Sequence, residues 1–252
     1  QVIRIRQNSD GLTDLEHLET ELRRSCRCGP ERLLIGSFSA ASNVTGILTD
    51  TLAISLLMHK YKGFALFDYA CAAPYVEIDM NCTEKGEQAY KDAVFISPHK
   101  FVGGPQTPGI LVAKRWLFKN KTPHGVGGGT VVFVRRFNHT YLHEVEHREE
   151  GGTPAIIESI RAGLVFRLKQ AFSHKFIMSR ENEMFELASR IWGEHPNILI
   201  LGNLIVRRLP IFSMLFLNPV TGRLLHHDFV AMLLNDLFGI QVRSGCACAA
   251  PY

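Results

Sequence analysis

Little in this chain points to a membrane or to nucleic acid. No apolar run approaches the ~20 residues that a membrane-spanning helix needs, and no secretory leader opens the sequence. Twenty-eight Lys and Arg face 24 Asp and Glu, a net charge of only +4. No basic block is long enough to follow a phosphate backbone; a pair such as Arg135-Arg136 reads as a solvated face. Neither nucleic acid nor a membrane is therefore expected as a partner. Six cysteines, at 26, 28, 71, 82, 246 and 248, form no dense and regular framework. That argues for a reducing compartment, the cytoplasm, over a disulfide scaffold. The two Cys-x-Cys pairs lack the usual zinc spacing, so no metal site is expected. His139, His143 and His147 recur every four residues but fall on segments that read as loop and strand. Three glycosylation sequons, at Asn43, Asn81 and Asn138, carry no weight without a leader. The chain begins at Gln1 without a methionine and stops without a polar tail, so we read it as a piece of a longer protein.

What is present is an alternation of strand and helix patterns. Val2–Ile5 is β-branched and reads as a first strand. Leucines at 15, 18 and 22 give Leu12–Arg24 a helical face. Leu33–Phe38, Phe64–Phe67, Ala93–Ser97 and Gly109–Ala113 read as strands, with an apolar helix at Thr49–Tyr61 between the first two. Such alternation predicts an α/β fold with a large, mixed but mostly parallel sheet. Past the glycine-rich stretch 122–130 the pattern changes. A β-branched run covers Thr130–Val134, and helices are expected from Pro154 and over Arg180–Trp192. Short strands follow at Asn197–Leu201 and Ile211–Leu217, then a helix at Leu225–Leu237 and a strand at Ile240–Val242. We expect a large domain over residues 1–160 and a smaller α/β domain over 161–252.

Two residues stand where ligands of α/β proteins collect, at the ends of predicted strands. Lys100 follows the run Ala93–Ile96 and precedes Gly103-Gly104-Pro105. A partly desolvated amine at such a mouth can form a Schiff base. Asp68 ends the apolar strand Phe64–Phe67; an aspartate there is either a turn cap or a functional anion. Together they suit pyridoxal phosphate, which needs a lysine on its aldehyde carbon and a carboxylate to keep its ring nitrogen protonated.

Phe67-Asp68, Ser97-x-His99-Lys100 and Gly104-Pro105 before Gly109-Ile110-Leu111 resemble the class V aminotransferase-fold enzymes. Within that class the chain is most similar to the cysteine desulfurase/selenocysteine lyase group. Ser42-Asn43-Val44-Thr45-Gly46, Gly127–Thr130, Glu150–Pro154 and Arg243-Ser244-Gly245-Cys246-Ala247-Cys248 resemble further motifs of that group, in family order. The resemblance implies fold type I, pyridoxal 5'-phosphate as cofactor, a homodimer and an amino-acid substrate. Carbon–sulfur or carbon–selenium cleavage is the most specific version, with a sulfur-acceptor protein as a further partner.

It also implies roles. Lys100 would anchor the cofactor and move a proton at the substrate's α-carbon. Asp68 would pair with the ring nitrogen. Ser97 and His99 would bind the phosphate, joined by Thr153 across the dimer, with Gly127–Gly129 near the dimer interface. Asn43 would touch cofactor or substrate, and Arg243 would hold the substrate carboxylate with its planar fork. Cys248 would take the sulfur, a step that needs a thiolate.

Three departures matter. Cys71 stands where the group usually carries a glutamine against the cofactor's phenolic oxygen, and a thiol is a poorer partner there. Cys246 precedes the nucleophile as a second thiol: a resolving group, an accidental neighbour or the working residue. The family's N-terminal phosphate-binding and ring-stacking segment, and the end of its small domain, are absent. Transamination, epimerisation or kynureninase-like cleavage on the same fold, and a catalytically degenerate scaffold, stay open as alternatives.

Overall fold

The computed structural model describes residues 1–27, 33–83, 86 and 88–248. Helix α1 (Leu15–Arg27) starts where Asp14 accepts the His17 N–H at 2.8 Å, and it buries Leu18 and Leu22, the face its leucine spacing predicts. Strand β1 (Ile35–Ser39) follows. Helix α2 (Thr51–Lys60) is capped by Asp50, whose side chain accepts from the N–H groups of Leu52 and Ala53. Then come β2 (Phe64–Asp68), β3 (Ala93–Ile96) and β4 (Ile110–Ala113).

These four strands form one sheet in the order β1-β2-β3-β4. The first two pairings are parallel, with Phe38 beside Phe67 and Phe67 beside Val94. β4 returns antiparallel, because no crossover helix lies between Ile96 and Ile110. Phe67, Ala65 and Val94 on the sheet meet Ile54 and Met58 of α2 in the main core. Each such fully buried large side chain contributes roughly 1.5–3 kcal/mol.

The remaining elements are β5 (Val131–Val134) and β6 (His139–Tyr141), which form a two-stranded antiparallel ribbon, and the short helix α3 (Val145–Glu149). Long helices α4 (Ile156–Phe172) and α5 (His174–Gly193) follow. The antiparallel pair β7 (Ile198–Ile200) and β8 (Met214–Phe216) and helix α6 (His227–Phe238) complete the order. The expected domain boundary at residue 160 falls inside α4.

Two expected strands do not form. Residues 2–5 have no regular structure and join no ladder among the described residues; the nearest bridge is Gln7 to Thr13. Residues 240–242 are irregular as well, leaving α6 through a left-handed Gly239. β-branched composition supplied the pattern in both, but a strand exists only where a partner edge meets it. No helix among the described residues is long and apolar enough to cross a membrane.

Candidate active site

Three turns converge at one end of the sheet. The first leaves β2. Asp68 is its exposed last residue, and its Oδ1 accepts the Ala70 N–H at 2.7 Å, the turn cap that an aspartate there can make. Its other oxygen has no hydrogen-bond partner among the described residues.

The second turn leaves β3. Residues Pro98–Lys100 coil into one 3₁₀ turn, in which Pro98 is buried while His99 and Lys100 are exposed. The expected partial desolvation of Lys100 is therefore corrected. The turn sends Pro98 and Phe101 into the core and lifts the amine outward. The Ser97 hydroxyl does not cap this turn. Gly104 closes it by necessity: a Cβ there would lie 2.0 Å from the Pro98 carbonyl oxygen.

Between these turns sits Cys71. Its thiol lies within electrostatic reach of both Lys100 and Asp68, so the three side chains share one neighbourhood. Burial pushes the Cys71 thiol up; the Lys100 charge opposes that shift and the Asp68 carboxylate adds to it. The S–H donates to the Ala41 carbonyl oxygen at 3.2 Å and so engages the main chain.

Ala41 leads into the third turn, Ser42–Gly46. Ser42 Oγ accepts the N–H groups of Val44 and Thr45 and folds the turn around Asn43. Gly46 has φ +74, and a Cβ there would meet the Leu209 carbonyl oxygen at 2.5 Å. This close approach lets Leu209 N–H reach Gly46 O at 2.8 Å, and Ser213 Oγ donates to Val44 O at 2.7 Å. A segment more than 160 residues away thus fixes the turn that carries Asn43.

The cysteine loop meets that turn. Asn43 Nδ2 donates to the Ala247 carbonyl oxygen. Arg243 turns its fork inward: Nε and Nη2 lie 3.2 and 3.0 Å from Cys246 O, and Nη2 lies 3.3 Å from Cys248 Sγ. Ser244 Oγ donates to Asp228 Oδ1 at 2.6 Å, tying the loop to the start of α6. Asp228 is held below the usual carboxylate range by this bond first and by His227 second.

Asp68, Cys71, Lys100, Asn43, Arg243 and Cys248 therefore form one connected path, and Ser97 and His99 flank Lys100 in sequence. Thr153 is exposed and stands elsewhere, beside the contact in which Gly152 N–H donates to Gly128 O at 2.8 Å. That contact ties the Gly127–Gly129 and Glu150–Pro154 motifs to each other.

What braces these turns lies outside the motifs read from the sequence. Helix α4 grips two of them. Phe166 packs on Phe101 at 4.9 Å between ring centroids, and Arg161 donates to Pro105 O at 2.9 Å. Lys169 donates to the carbonyl oxygens of Ala73 and Val76, closing the turn after Asp68. The available signal was Arg161, Phe166 and Lys169, three long side chains spaced i, i+5 and i+8 on one helix. A cluster of His226, His227 and Asp228 also went unforeseen; its ligand atoms lie within 4.8 Å of one another, all exposed. Of the first cysteine pair, Cys26 is exposed, and Cys28 lies outside the described residues. A groove of about 730 Å³ runs along the free side of β1 and touches the site only at Ser42 and Asn43.

Comparison with known proteins identifies the family. A family model for class V aminotransferases matches residues 1–252, and the chain belongs to that family. It is similar to a probable cysteine desulfurase of Streptomyces coelicolor, 25% identical over 242 residues, 96% of this chain and 53% of that protein. A cysteine desulfurase of Synechococcus elongatus is 26% identical over 223 residues, 88% of this chain and 33% of that protein. The fold superposes on an apo cysteine desulfurase from Thermococcus onnurineus with a TM-score of 0.77 at 23% identity, over 98% of this chain and 56% of the other. The chain thus spans between a third and a little over half of the proteins it matches. Members of the family use pyridoxal phosphate. The donor set fits that group: an amine, a carboxylate oxygen left free by its turn, and an uncapped hydroxyl, all at the ends of β2 and β3.

Proposed function

We propose that this chain carries most of the active site of a pyridoxal-phosphate enzyme that breaks a carbon–sulfur or carbon–selenium bond in an amino acid, with Cys248 receiving the chalcogen. Bound there, the cofactor supplies an electron sink for charge released at the substrate's α-carbon. Lys100 would supply the anchoring amine and would move a proton at the substrate's α-carbon. The free oxygen of Asp68 holds the proton of the ring nitrogen. Ser97 and His99 take the phosphate, completed by Thr153 of a second copy in a homodimer. Arg243 and Asn43 orient the substrate carboxylate, which leaves its sulfur facing the Cys248 thiolate. Cys71 borders the ring, with its thiol already committed to Ala41. A cytoplasmic setting and a sulfur-acceptor protein complete the reading.

The observation that carries it is the contact between Asn43 and Ala247, 204 residues apart. It supports a meeting of the cofactor side and the thiol side at one corner. The test is reconstitution of the full-length protein with pyridoxal phosphate and assay of cysteine, selenocysteine and cysteine sulfinate for alanine and sulfide. Lys100→Ala should lose the borohydride-trappable cofactor. Cys248→Ala should keep the cofactor and lose sulfide release by at least a hundredfold. Sulfide release that is absent, or indifferent to Cys248→Ala, overturns the desulfurase reading.

A further inference from the structure

Cys246 has no part in that scheme, and its placement asks for one. Cys246 and Cys248 are both free thiols and both exposed. Residues two apart lie within about 7 Å even when extended, and a disulfide needs a Cα separation of about 4.4–6.8 Å. Here the segment is curled. Gly245 has φ +68 and Cys248 φ +59, one of the few non-glycine residues with positive φ among those described. A single nitrogen, Arg243 Nη2, contacts both the Cys246 carbonyl oxygen and the Cys248 sulfur. Asn43 pins the residue between them. The loop is therefore folded around one guanidinium, which meets the Cys246 main chain and the Cys248 sulfur. Cys71, the other thiol near the cofactor side, is less suited to exchange: it is half-buried and bonded to the main chain.

We propose that Cys246 is a resolving thiol, which discharges the sulfur carried by Cys248 as hydrosulfide and leaves a Cys246–Cys248 disulfide for a dithiol reductant to reopen. This rests on the reading that Cys248 accepts sulfur. The thiolate of Cys246 attacks the inner sulfur of the Cys248 persulfide. The Sγ–Sγ bond forms, the bond to the outer sulfur breaks, and that sulfur leaves with the electron pair and takes a proton. The outer sulfur is reduced by two electrons as two cysteine sulfurs are oxidised to one disulfide. An external dithiol, becoming a disulfide itself, returns both electrons. The co-substrate class is thus a dithiol reductant of low potential, and this route yields free sulfide in competition with transfer to a sulfur-acceptor protein.

The experiment loads the sulfur chemically, so that it does not depend on cofactor chemistry. The reduced full-length protein is treated briefly with inorganic polysulfide, desalted, and held without reductant. Sulfide is followed with time, and the loop peptide is read by mass spectrometry. The native chain should release about one equivalent of sulfide and show the Cys246–Cys248 disulfide. Cys246→Ser and Cys246→Ala should retain persulfide on Cys248 and release sulfide at least tenfold more slowly until dithiothreitol is added. Equal release from the native chain and both variants, or a persulfide that persists in the native chain, overturns the proposal. A parallel arm with cysteine and the reconstituted enzyme separates the two readings. If cysteine leaves no sulfur on Cys248 while polysulfide-loaded protein resolves as expected, the desulfurase reading fails and the resolving role stands.

Discussion

The Lys100 turn and the Cys246–Cys248 loop serve one corner of the molecule but are held in opposite ways. Lys100 stands on apolar packing: Pro98, Phe101, Phe67 and Val94 are buried beneath it, and Phe166 of α4 leans on Phe101. The cysteine loop has no buried side chain at all, and α6, which leads into it, buries none either. It is held by hydrogen bonds from Arg243, Asn43 and Ser244. Apolar packing is non-directional and cooperative with the whole core. A few exposed hydrogen bonds can be exchanged one at a time, each contributing about 1 kcal/mol net. Under the proposed function, the contrast suits a fixed amine beside a thiol arm free to be released.

The largest break in the comparison comes from the packed side. Phe67→Ala empties the centre of the sheet, and we expect a loss of about 3–5 kcal/mol in chemical denaturation. A loss below about 1 kcal/mol would mean that the sheet is not what holds the Lys100 turn.

His59 tests the same side through pH. It is sandwiched between Asp92 Oδ2 at 2.8 Å and the Gln88 carbonyl oxygen at 2.6 Å, with Tyr90 stacked 4.1 Å away. Burial pulls its pKa down, but the Asp92 and Gln88 bonds outweigh that, and the net shift is upward. A raised folded value means that the protonated ring adds stability in full below the unfolded value of about 6.5. That stability is lost as pH rises through the folded value. His59→Ala should cost about 3 kcal/mol near pH 6, and the gap to the native chain should narrow in alkaline solution. A gap that widens with pH would overturn the charged-pair assignment.

The loop responds differently. Asn43→Ala removes one of its ties and should change global stability by no more than about 1 kcal/mol. Alkylation of Cys246 and Cys248 should nevertheless quicken several-fold, while Cys71 stays unchanged. Uniform protection of all three thiols would show that the loop is packed, not tethered.

The smallest effect lies on the far side of the sheet domain. Glu19 accepts bonds from Lys60, Tyr61 and Arg23, which in that order hold its carboxyl down at about 2. A depressed carboxylate stabilises above its unfolded value and loses that contribution as pH falls from about 4.5 through about 2. Glu19→Gln should therefore flatten the acid limb of a melting-temperature profile slightly and leave the neutral limb almost unchanged.

The sheet domain was largely legible in the sequence, because its strands are short apolar runs that end on charged or glycine-rich turns. Asp68 and Lys100 stood out since each interrupts such a run at its mouth. Local pattern failed where a distant segment decides the outcome. Residues 2–5 and 240–242 have strand composition but no partner edge. The brace from α4 was hidden because periodicity tells that a helix has a face, not what it faces. The meeting of Asn43 with Ala247 depends on the segment 207–213 docking on Gly46, a contact that no window of sequence contains.

The Arg243 fork has one further consequence. In the structure its donors, like that of Asn43, are engaged by carbonyl oxygens of the cysteine loop itself, at Cys246 and Ala247. A free carboxylate is the stronger acceptor for a guanidinium. Under the proposed function, an amino acid that claimed these donors would evict the loop in the same act, so the arriving guest would also open the latch on the thiol proposed to receive its sulfur.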